Sequence, residues 1–268
     1  MRMFDAHLHL QDPRLRGMLF DALNAADAAG VRGVCCCATS PDDVAEVMAL
    51  PRDYKRIRIM RGFGVHPWHA AELATGWRET LEKALTEEAA ACVGEIGLDG
   101  IYKEVSPPLQ REVLLEQLRL AERFKRVVVL HGARAWNELS EVMKAHSARL
   151  PGYMFHAFSG PPEMLRKHVE RGAFFSFSGT LCNPQATRVH AVARAVPLPQ
   201  LLMETDTPDM FPVGGVGLGN GLNQPANVGL VVRALAELRG VAEEELCHAT
   251  AENARKFFGF STQINSIR

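Results

Sequence analysis

The chain has 268 residues, of which 47% are hydrophobic, and a formal net charge of -1. This size is enough for one large globular domain with a substantial core, and it also permits two small domains. The nearly balanced charge excludes the strong overall positive potential of a protein that holds nucleic acid mainly by charge, although a local basic patch remains compatible with it.

The sequence contains neither a signal peptide nor an apolar run of about 18 residues. We therefore predict a cytoplasmic protein that does not engage a membrane. Six cysteines, three of them consecutive at Cys35, Cys36 and Cys37, do not resemble a secreted disulfide framework, and we expect reduced thiols. Because consecutive side chains of a strand point to opposite faces, these three cannot surround one ion together, and we expect them to pack as small apolar groups.

Short apolar or β-branched runs recur along the chain, and longer segments separate them. This alternation predicts βα units around a parallel sheet. Eight candidate strands follow in order: MFDAHLHL from Met3, RGVCCCATS from Arg32, RIRIMRGFGVHP from Arg58 or slightly before it, ACVGEIGLD from Ala91, VVVLHGA from Val127, YMFHAFSG from Tyr153, FFSFSGT from Phe174 and LLMETDTP from Leu201.

Segments with helical spacing lie between these runs, for example the apolar faces within 113–121 and 228–238. We predict one helix in each interval except the loop-rich interval after Phe63 and the short interval before Phe174. Eight strands with intervening helices predict an α/β protein with a single (β/α)8 TIM barrel over residues 1–260, followed by a C-terminal tail at 261–268. An open doubly wound sheet is the alternative, because the number of strands alone does not show closure.

The glycine-rich run PVGGVGLGNGLNQP predicts a loop over one end of the barrel.

Polar side chains interrupt the apolar strands at positions that share a face. In FDAHLHL, the residues Asp5, His7 and His9 alternate with apolar residues, so strand periodicity places them together, and we expect them to face the barrel interior. The same rule selects four further residues near the C-terminal ends of their strands: Glu95, His131, His156 and Asp206. That end of a barrel carries the active site.

Imidazoles and carboxylates without a thiolate match the ligands of a divalent-metal site. Unpaired buried groups of this kind would cost several kcal/mol, so a bound ion is needed to compensate them. Four histidines and two acids exceed the needs of one tetrahedral ion. We therefore predict two divalent ions, with Glu95 on the fourth strand as the bridging carboxylate, and the ligand types leave Mg, Mn and Zn open.

Each candidate taken alone also has a structural explanation. A lone strand histidine can be a satisfied core group, Glu95 could pair with an arginine, and Asp206 could be a turn or helix-capping residue. The convergence of six such residues favours the metal site. We expect the histidines of helical segments to occupy solvated faces, namely His146, His168, His190 and His248. In GVHPWHA, His66 is a better candidate than His69 for lining the pocket.

From Phe4 to about Gly259 the chain resembles the TatD family of metal-dependent hydrolases, within the amidohydrolase superfamily. DAHLHL resembles the family's opening D-x-H-x-H, GVHP its third-strand motif and GEIGLD its bridging-glutamate motif. HAFSG is similar to H-x-F-S-G, ETDTP to E-T-D-x-P, and TAENARKFFG to the closing T-x-N-x-x-x-x-F.

The resemblance implies a first ion held by His7, His9, Glu95 and Asp206, and a second ion held by Glu95, His131 and His156. It also implies that Asp206 is a general base. Glu204 would orient a histidine or the aspartate, and His66 would approach the substrate or the bound water.

Two positions depart from the family pattern. The family often carries H-S-R after the fifth strand, whereas here the run is HGARAW, and Arg134 comes one position later. Leu222 and Gln224 replace the charged pair of the family's R-N-E-P. Whether Arg134 takes over the substrate-phosphate contact is therefore open, and a shifted substrate preference is possible.

The resemblance implies hydrolysis of a phosphodiester by a metal-bound hydroxide, in the manner of a deoxyribonuclease that removes nucleotides in the 3'-5' direction. A metal-dependent hydrolase of a small ester, lactone or amide is the alternative, and a non-catalytic metal-binding homologue is a third possibility. For nucleic acid we expect weak binding of a DNA end without sequence readout, through the metals and residues such as Arg134 and Lys103. The chain would act as a monomer or a small homo-oligomer.

Overall fold

The computed structural model describes residues 2–259, so the predicted tail at 261–268 lies outside the described residues. Its strands are β1 (Met3–Leu8), β2 (Val31–Cys37), β3 (Asp53–Tyr54), β4 (Ile57–Phe63), β5 (Cys92–Asp99), β6 (Val128–Ala133), β7 (Tyr153–Phe155), β8 (Phe174–Phe177) and β9 (Leu201–Met203). The eight predicted strands are all present in this range. β3 is an additional two-residue strand that pairs with β4 in antiparallel fashion.

The other eight strands are parallel and follow one another in the order β1, β2, β4, β5, β6, β7, β8, β9. The segment after β9 closes the sheet onto β1 through two backbone hydrogen bonds. Asp206 N donates to His7 O at 3.0 Å, and His9 N donates to Thr207 O at 2.8 Å. The prediction of a (β/α)8 barrel is therefore confirmed, and the open-sheet alternative is wrong.

The helices of residues 2–259 lie around this barrel. They are α1 (Leu19–Ala29), α2 (Val44–Ala49), α3 (Trp77–Glu87), α4 (Pro107–Phe124), α5 (Trp136–His146), α6 (Pro162–Val169), α7 (Thr187–Ala195), α8 (Val228–Arg239) and α9 (Glu243–Phe258). Within this range, no helix is both long and apolar enough to span a bilayer.

Two of these helices occupy the intervals in which we predicted none. α3 follows Phe63, and it buries only Leu81, Ala84 and Leu85 among charged residues, so its apolar signal is weak. α6 precedes Phe174 and has eight residues, which is too short to show a repeated period. Its start at Pro162 is nevertheless a typical first helical position for proline, because the missing N–H has no partner there.

One apolar cluster combines residues from all eight parallel strands with three residues of α9, and it fills the barrel interior. It comprises Phe4, Ala6, Cys35, Cys37, Met60, Cys92, Val129, Met154, Phe174 and Leu202 from the strands, with Ala254, Phe257 and Phe258 from α9. A second, larger cluster lies between the strands and the surrounding helices.

The three consecutive cysteines divide between these two clusters, as strand alternation predicts. Cys35 and Cys37 belong to the interior cluster, where their sulfurs are 3.9 Å apart and Cys92 lies 3.8 Å from Cys35. Cys36 points to the other side, where Leu10 N donates to its sulfur at 3.3 Å. Each of the six cysteines is a free thiol, as we expected.

The alternation predicted for β1 is interrupted. Phe4 and Ala6 belong to the interior cluster, whereas Leu8 packs outside, so the apolar residues of β1 do not share one face as strict alternation requires. The pairing of β1 with β2 shifts register between Asp5 and Leu8. A local irregularity of this kind rotates the side chains that follow it to the other face of the strand. His7 therefore faces the barrel interior, although Ala6, the residue before it, faces the interior as well.

β5 contains a second irregularity, which positions Glu95. Cys92 lies in the interior cluster, while Val93 and Ile96 pack outside. The register with β6 shifts between Val93 and Ile96. Glu95 therefore faces the interior three residues after Cys92, an odd spacing that strict alternation forbids.

Asp5, which we expected to point into the barrel with the histidines, instead links β1 to the segment after β9. It accepts hydrogen bonds from the backbone N–H and the hydroxyl of Thr205, at 2.9 and 2.5 Å. The side chain is fully buried, and this burial raises its pKa well above the usual value. Asp5 supports closure of the barrel and does not join the predicted metal ligands.

Candidate metal centre

A pocket of about 420 Å³ opens at the C-terminal ends of the strands. Six of the residues that line it carry predicted roles, namely His9, His66, Glu95, His131, His156 and Asp206. His7 is fully buried. Among these residues, His9, His156 and Asp206 follow the last residue of their strands rather than lying within them.

The first group of donor atoms surrounds one oxygen of Glu95. Its Oε2 lies 3.2 Å from His7 Nε2 and 3.3 Å from His9 Nε2. Asp206 Oδ1 lies 3.5 Å from His7 Nε2 and 3.6 Å from His9 Nε2. Donors bound about 2.1 Å from one divalent ion stand roughly 3.0–3.4 Å apart, so this spacing fits a single ion.

The second group surrounds the other oxygen of the same carboxylate. Glu95 Oε1 lies 2.7 Å from His156 Nε2 and 3.0 Å from His131 Nδ1. His131 Nδ1 is also 3.2 Å from His156 Nε2. Each oxygen of Glu95 thus faces a different pair of imidazoles, which is the arrangement of a carboxylate that bridges two ions.

His7 provides an independent test of whether a metal ion fits. Both of its ring nitrogens are buried, and neither makes a hydrogen bond of good geometry among the described residues, although Nε2 lies 3.2 Å from Glu95 Oε2. A buried ring nitrogen without a hydrogen bond costs free energy, and a metal ion bound at Nε2 would remove the part of that cost that belongs to Nε2. The donor chemistry agrees, since imidazole nitrogens and carboxylate oxygens are ligands of Zn, Mn and related divalent ions.

The two acids among the candidate ligands, Glu95 and Asp206, are held in the anionic form that metal binding requires. Burial alone would raise the pKa of Asp206, but the neighbouring imidazoles of His9 and His156 lower it to about 2. Burial opposes ionisation of Glu95 as well, and the facing imidazoles hold its pKa well below the usual value.

Three non-glycine residues at or beside the pocket have a left-handed backbone, and one of them is Met210, with a φ of 50°. Asp206 has a φ of 58° and Ala157, which follows His156, has a φ of 41°, so both occupy the left-handed region. Such conformations cost of order 1–3 kcal/mol and cluster at functional sites. Aspartate and asparagine tolerate this region better than most residues, which matters for the choice of variants at Asp206.

Comparisons with known proteins show the family to which the chain belongs. A family model described as TatD related DNase matches residues 4–259. The chain belongs to the TatD family. It is 32% identical to the uncharacterized metal-dependent hydrolase YjjV of Escherichia coli, over 96% of this chain and 98% of that protein.

A solved structure of the same relative supports the fold. The crystal structure of Escherichia coli YjjV, described as a TatD homolog, has a TM-score of 0.87 and covers 97% of this chain and 99% of that chain. A protein named 3'-5' ssDNA/RNA exonuclease TatD from Escherichia fergusonii is 27% identical over 97% of this chain and 100% of its own length. The chain is therefore a metal-dependent hydrolase of the TatD family.

Three histidines of this TatD-family site have an oxygen atom near their second ring nitrogen, and in His9 and His131 the two atoms form a hydrogen bond. His9 Nδ1 lies 2.9 Å from the carbonyl oxygen of Cys37, to which it can donate. His131 Nε2 lies 3.1 Å from Asp99 Oδ2, and His156 Nδ1 lies 3.4 Å from a carboxylate oxygen of Glu204. Partners of this kind fix the ring orientation and leave the inward nitrogen free to ligate.

Glu204 lies behind His156, as expected for a residue that orients a histidine. Its side chain is fully buried, and Oε1 accepts a hydrogen bond from Ala157 N at 2.7 Å. The hydroxyl of Ser176 donates to Oε2. The carboxylate is therefore held at a defined position, although it does not reach the pocket itself.

Asp99 also orients one of the candidate ligand histidines, because it lies beside His131. We did not predict this role from the sequence. Asp99 accepts hydrogen bonds from Trp68 Nε1 at 2.8 Å, from Ile101 N at 2.6 Å and from Tyr102 N at 3.0 Å. The sequence did contain a signal for it, because Asp99 ends the strand of Glu95 and shares its parity.

His66 lines the pocket, as predicted, with its Nε2 3.6 Å from Glu95 Oε1. Its Nδ1 accepts a hydrogen bond from Trp68 N at 3.3 Å, so the neutral ring carries its proton on Nε2. Burial and the neighbouring His131 hold its pKa well below the usual value. His66 therefore presents a neutral N–H donor to the pocket, which suits contact with a substrate oxygen better than ligation of an ion.

Arg134 does not line the pocket of the metal ligands. It lines a neighbouring cavity of about 890 Å³, together with Lys103. His69 does line the metal pocket, and its Nδ1 is 2.8 Å from Glu72.

His168 contradicts the expectation of a solvated helix face. It is buried between Ser140 Oγ, 2.9 Å from Nε2, and the hydroxyl of Tyr153, 2.7 Å from Nδ1. The reason is that α6 packs this face against the barrel and α5. Of the other helical histidines, His248 is exposed, whereas His146 and His190 are half-buried.

Proposed function

We propose that this TatD-family hydrolase removes nucleotides stepwise from the 3' end of single-stranded DNA or RNA, using two divalent ions. One observation carries the proposal: the two oxygens of Glu95 face two separate sets of donors at 2.7–3.3 Å. Paired ions are common in phosphodiester hydrolysis, in which both the attacking and the leaving oxygen need stabilisation. The Escherichia fergusonii relative named as a 3'-5' ssDNA/RNA exonuclease supports the substrate class.

Divalent ions bound by these residues would supply Lewis-acid stabilisation of the phosphate charge and a lowered pKa of water in the pocket. Asp206 is the residue best placed to accept the proton of the attacking water. It lines the pocket, its side chain is 15% exposed, and it is anionic at neutral pH. Proton transfer by a positioned carboxylate contributes about 100- to 10,000-fold to the rate.

His66 would act on the substrate. Its Nε2–H can donate to a non-bridging phosphate oxygen, and its low pKa keeps the ring neutral across the physiological range. Glu204, Asp99 and the carbonyl of Cys37 hold the ligand imidazoles in orientation, so that little rearrangement is needed on substrate binding.

The test uses single-stranded oligonucleotides labelled at one end, together with a panel of esters, lactones and amides. We expect products that shorten from the 3' end, loss of activity on chelation, and recovery on separate addition of Mg, Mn or Zn. Preferential hydrolysis of an ester, lactone or amide, with no shortening of any oligonucleotide, would contradict the proposal.

Asp206→Asn tests the assigned proton acceptor. Asparagine tolerates the left-handed backbone of this position and keeps one oxygen for a metal ion. We expect kcat to fall by at least about 100-fold while the metal content is largely retained. The exposed Asp42→Asn variant is the matched control, and wild-type turnover in Asp206→Asn would dismiss the role.

A further inference from the structure

We propose that the cavity lined by Arg134, Lys103 and Arg188 binds phosphates of the nucleic-acid strand beyond the nucleotide that is cleaved. We call it the cationic cavity. Its volume of about 890 Å³ exceeds that of the metal pocket, and it is large enough to hold part of an extended strand. The inference rests on the proposed function, which it extends from the scissile bond to the rest of the substrate.

The cavity carries unpaired positive charge. Among the ion pairs of the described residues, none involves Lys103, Arg134 or Arg188. The Lys103 ammonium donates to the carbonyl oxygen of Gly100 at 2.5 Å, which leaves its charge uncompensated. A polyanion is the ligand that such a group of cations attracts.

The two acids of the cavity do not cancel this charge. Asp99 already accepts hydrogen bonds from Trp68 and from backbone N–H groups, and it lies 3.1 Å from His131. Glu138 lies 3.9 Å from Arg111, which does not line the cavity. Three cations without an ion-pair partner therefore line the cavity together with two carboxylates, both of which have other contacts.

The cationic cavity adjoins the metal pocket. Asp99 lines the cavity, and it contacts His131 and Trp68, which both line the metal pocket. Arg134 follows His131 by three residues, so their Cα atoms are at most about 11 Å apart. A strand whose terminal phosphodiester reaches the metal ligands can therefore place a following phosphate beside Arg134.

The backbone of Arg134 provides a second, independent observation. Arg134 has a φ of 48°, in the left-handed region that glycine and asparagine occupy more readily. Its strand end is also tightly held, because Gly100 N donates to Ala133 O at 2.6 Å, and a Cβ on Gly100 would lie 2.8 Å from Arg134 O. A left-handed backbone at a non-glycine residue costs free energy and is found most often at functional sites, which supports a role for the Arg134 side chain.

Aromatic rings lie at the boundary between the two cavities. The Trp68 ring is 46% exposed and lines the metal pocket. It packs against Tyr102, with centroids 5.5 Å apart, and its indole N–H is held by Asp99. Unpaired bases stack on such rings without sequence preference.

The experiment compares wild-type protein with the triple variant Lys103→Gln, Arg134→Asn, Arg188→Gln on substrates of increasing length. Asparagine at position 134 accepts the left-handed backbone, so the variant removes charge without adding strain. Lys256→Gln, an exposed change in α9 outside the cavity, is the matched control. The substrates are bis(p-nitrophenyl) phosphate and oligodeoxynucleotides of about 2 to 16 nucleotides.

We expect the triple variant to raise KM about 10-fold for the longer oligonucleotides. It should leave the kinetics of bis(p-nitrophenyl) phosphate unchanged, because that substrate reaches only the metal pocket. The slope of log KM against log salt concentration should fall by about 2, since each lost phosphate contact on a single strand contributes roughly 0.7. Arg134→Lys alone should retain most of the affinity.

Two results separate the inference from the function on which it rests. If wild-type protein cleaves oligonucleotides and the triple variant has the same KM and salt dependence, the cationic cavity is not a substrate site. An equal rise in KM for bis(p-nitrophenyl) phosphate would also overturn the inference, because the triple variant would then have damaged the metal pocket. If wild-type protein cleaves no oligonucleotide, the proposed function fails and the inference fails with it.

Discussion

Asp99 offers a sharp test of the metal centre, because its two oxygens have different partners. Oδ1 accepts the backbone N–H groups of Ile101 and Tyr102, while Oδ2 faces Trp68 Nε1–H and His131 Nε2. Asp99→Asn changes the size of the side chain little but replaces one of these acceptors with an NH2 group. The two backbone donors hold the amide oxygen on their side, so the NH2 group must face Trp68 and His131.

This substitution reverses the proton arrangement of His131. An NH2 donor beside Nε2 favours the ring form with its proton on Nδ1, and Nδ1 is the atom that faces Glu95. Nδ1 could then no longer ligate without losing that proton. The variant also exchanges a hydrogen bond to a charged group, worth about 1.5–3 kcal/mol, for a neutral one worth about 0.5–1.5 kcal/mol. Loss of an outer partner typically weakens metal affinity by about 10- to 100-fold, which agrees with that difference.

The measurement is metal affinity by competition with a chelator of known strength, with kcat determined at saturating metal. We expect affinity to fall by at least about 10-fold and kcat to fall further than for Trp68→Phe, which removes the indole donor alone. Asp42→Asn serves as the control for a surface aspartate, and thermal unfolding checks that the fold persists. Unchanged metal affinity in a folded Asp99→Asn protein would refute this account of His131.

Three further results are expected. Removing metal with a chelator should lower the unfolding temperature, and reloading at about 100 times Kd should restore about 2.7 kcal/mol, because the ion binds only the folded ligand set; an unchanged transition would argue against bound metal. Burial lowers the pKa of His168 from 6.5 to about 4, so the unfolded chain binds the proton more readily, and about 3 kcal/mol of stability should be lost as pH falls from 6.5 towards 4. That pH dependence should weaken in His168→Gln when unfolding free energies are compared by denaturant titration, and equal slopes would contradict the assignment. Gly97→Ala should destabilise the fold by about 3 kcal/mol, because its Cβ would overlap the carbonyl oxygen of His131; Gly172→Ala, at a positive φ with nothing within 4 Å, should cost only about 1 kcal/mol, and equal losses would refute the clash.

The parallel strands and two of the helices show which parts of the fold could be predicted from the sequence. The eight parallel strands carry runs of apolar and β-branched residues that are distinct from the helical spacing between them, so their number and order were predictable. α3 and α6 were missed, because one buries few residues and the other is too short for its period to be visible. Packing against the barrel stabilises both helices, and that contribution is absent from the local pattern.

The donors of the candidate metal centre were predictable by residue type and by strand end, but strict alternation did not predict correctly which residues face the barrel interior. His7 faces the interior together with Ala6, and Glu95 faces it three residues after Cys92, because register shifts in β1 and β5 break the two-residue period. Such shifts arise from the pairing of neighbouring strands, and no single strand reveals them.

The sequence by itself therefore determined the fold class, the kinds of ligand and the end of the barrel at which they gather, since these depend on local apolar patterns and on residue chemistry. Only the tertiary structure decided that each oxygen of Glu95 faces its own pair of histidines, that Asp99 lies behind His131, and that Arg134 lines a separate cavity. Those relations join residues tens of positions apart in the chain, and the distances between them are set by how the whole sheet closes.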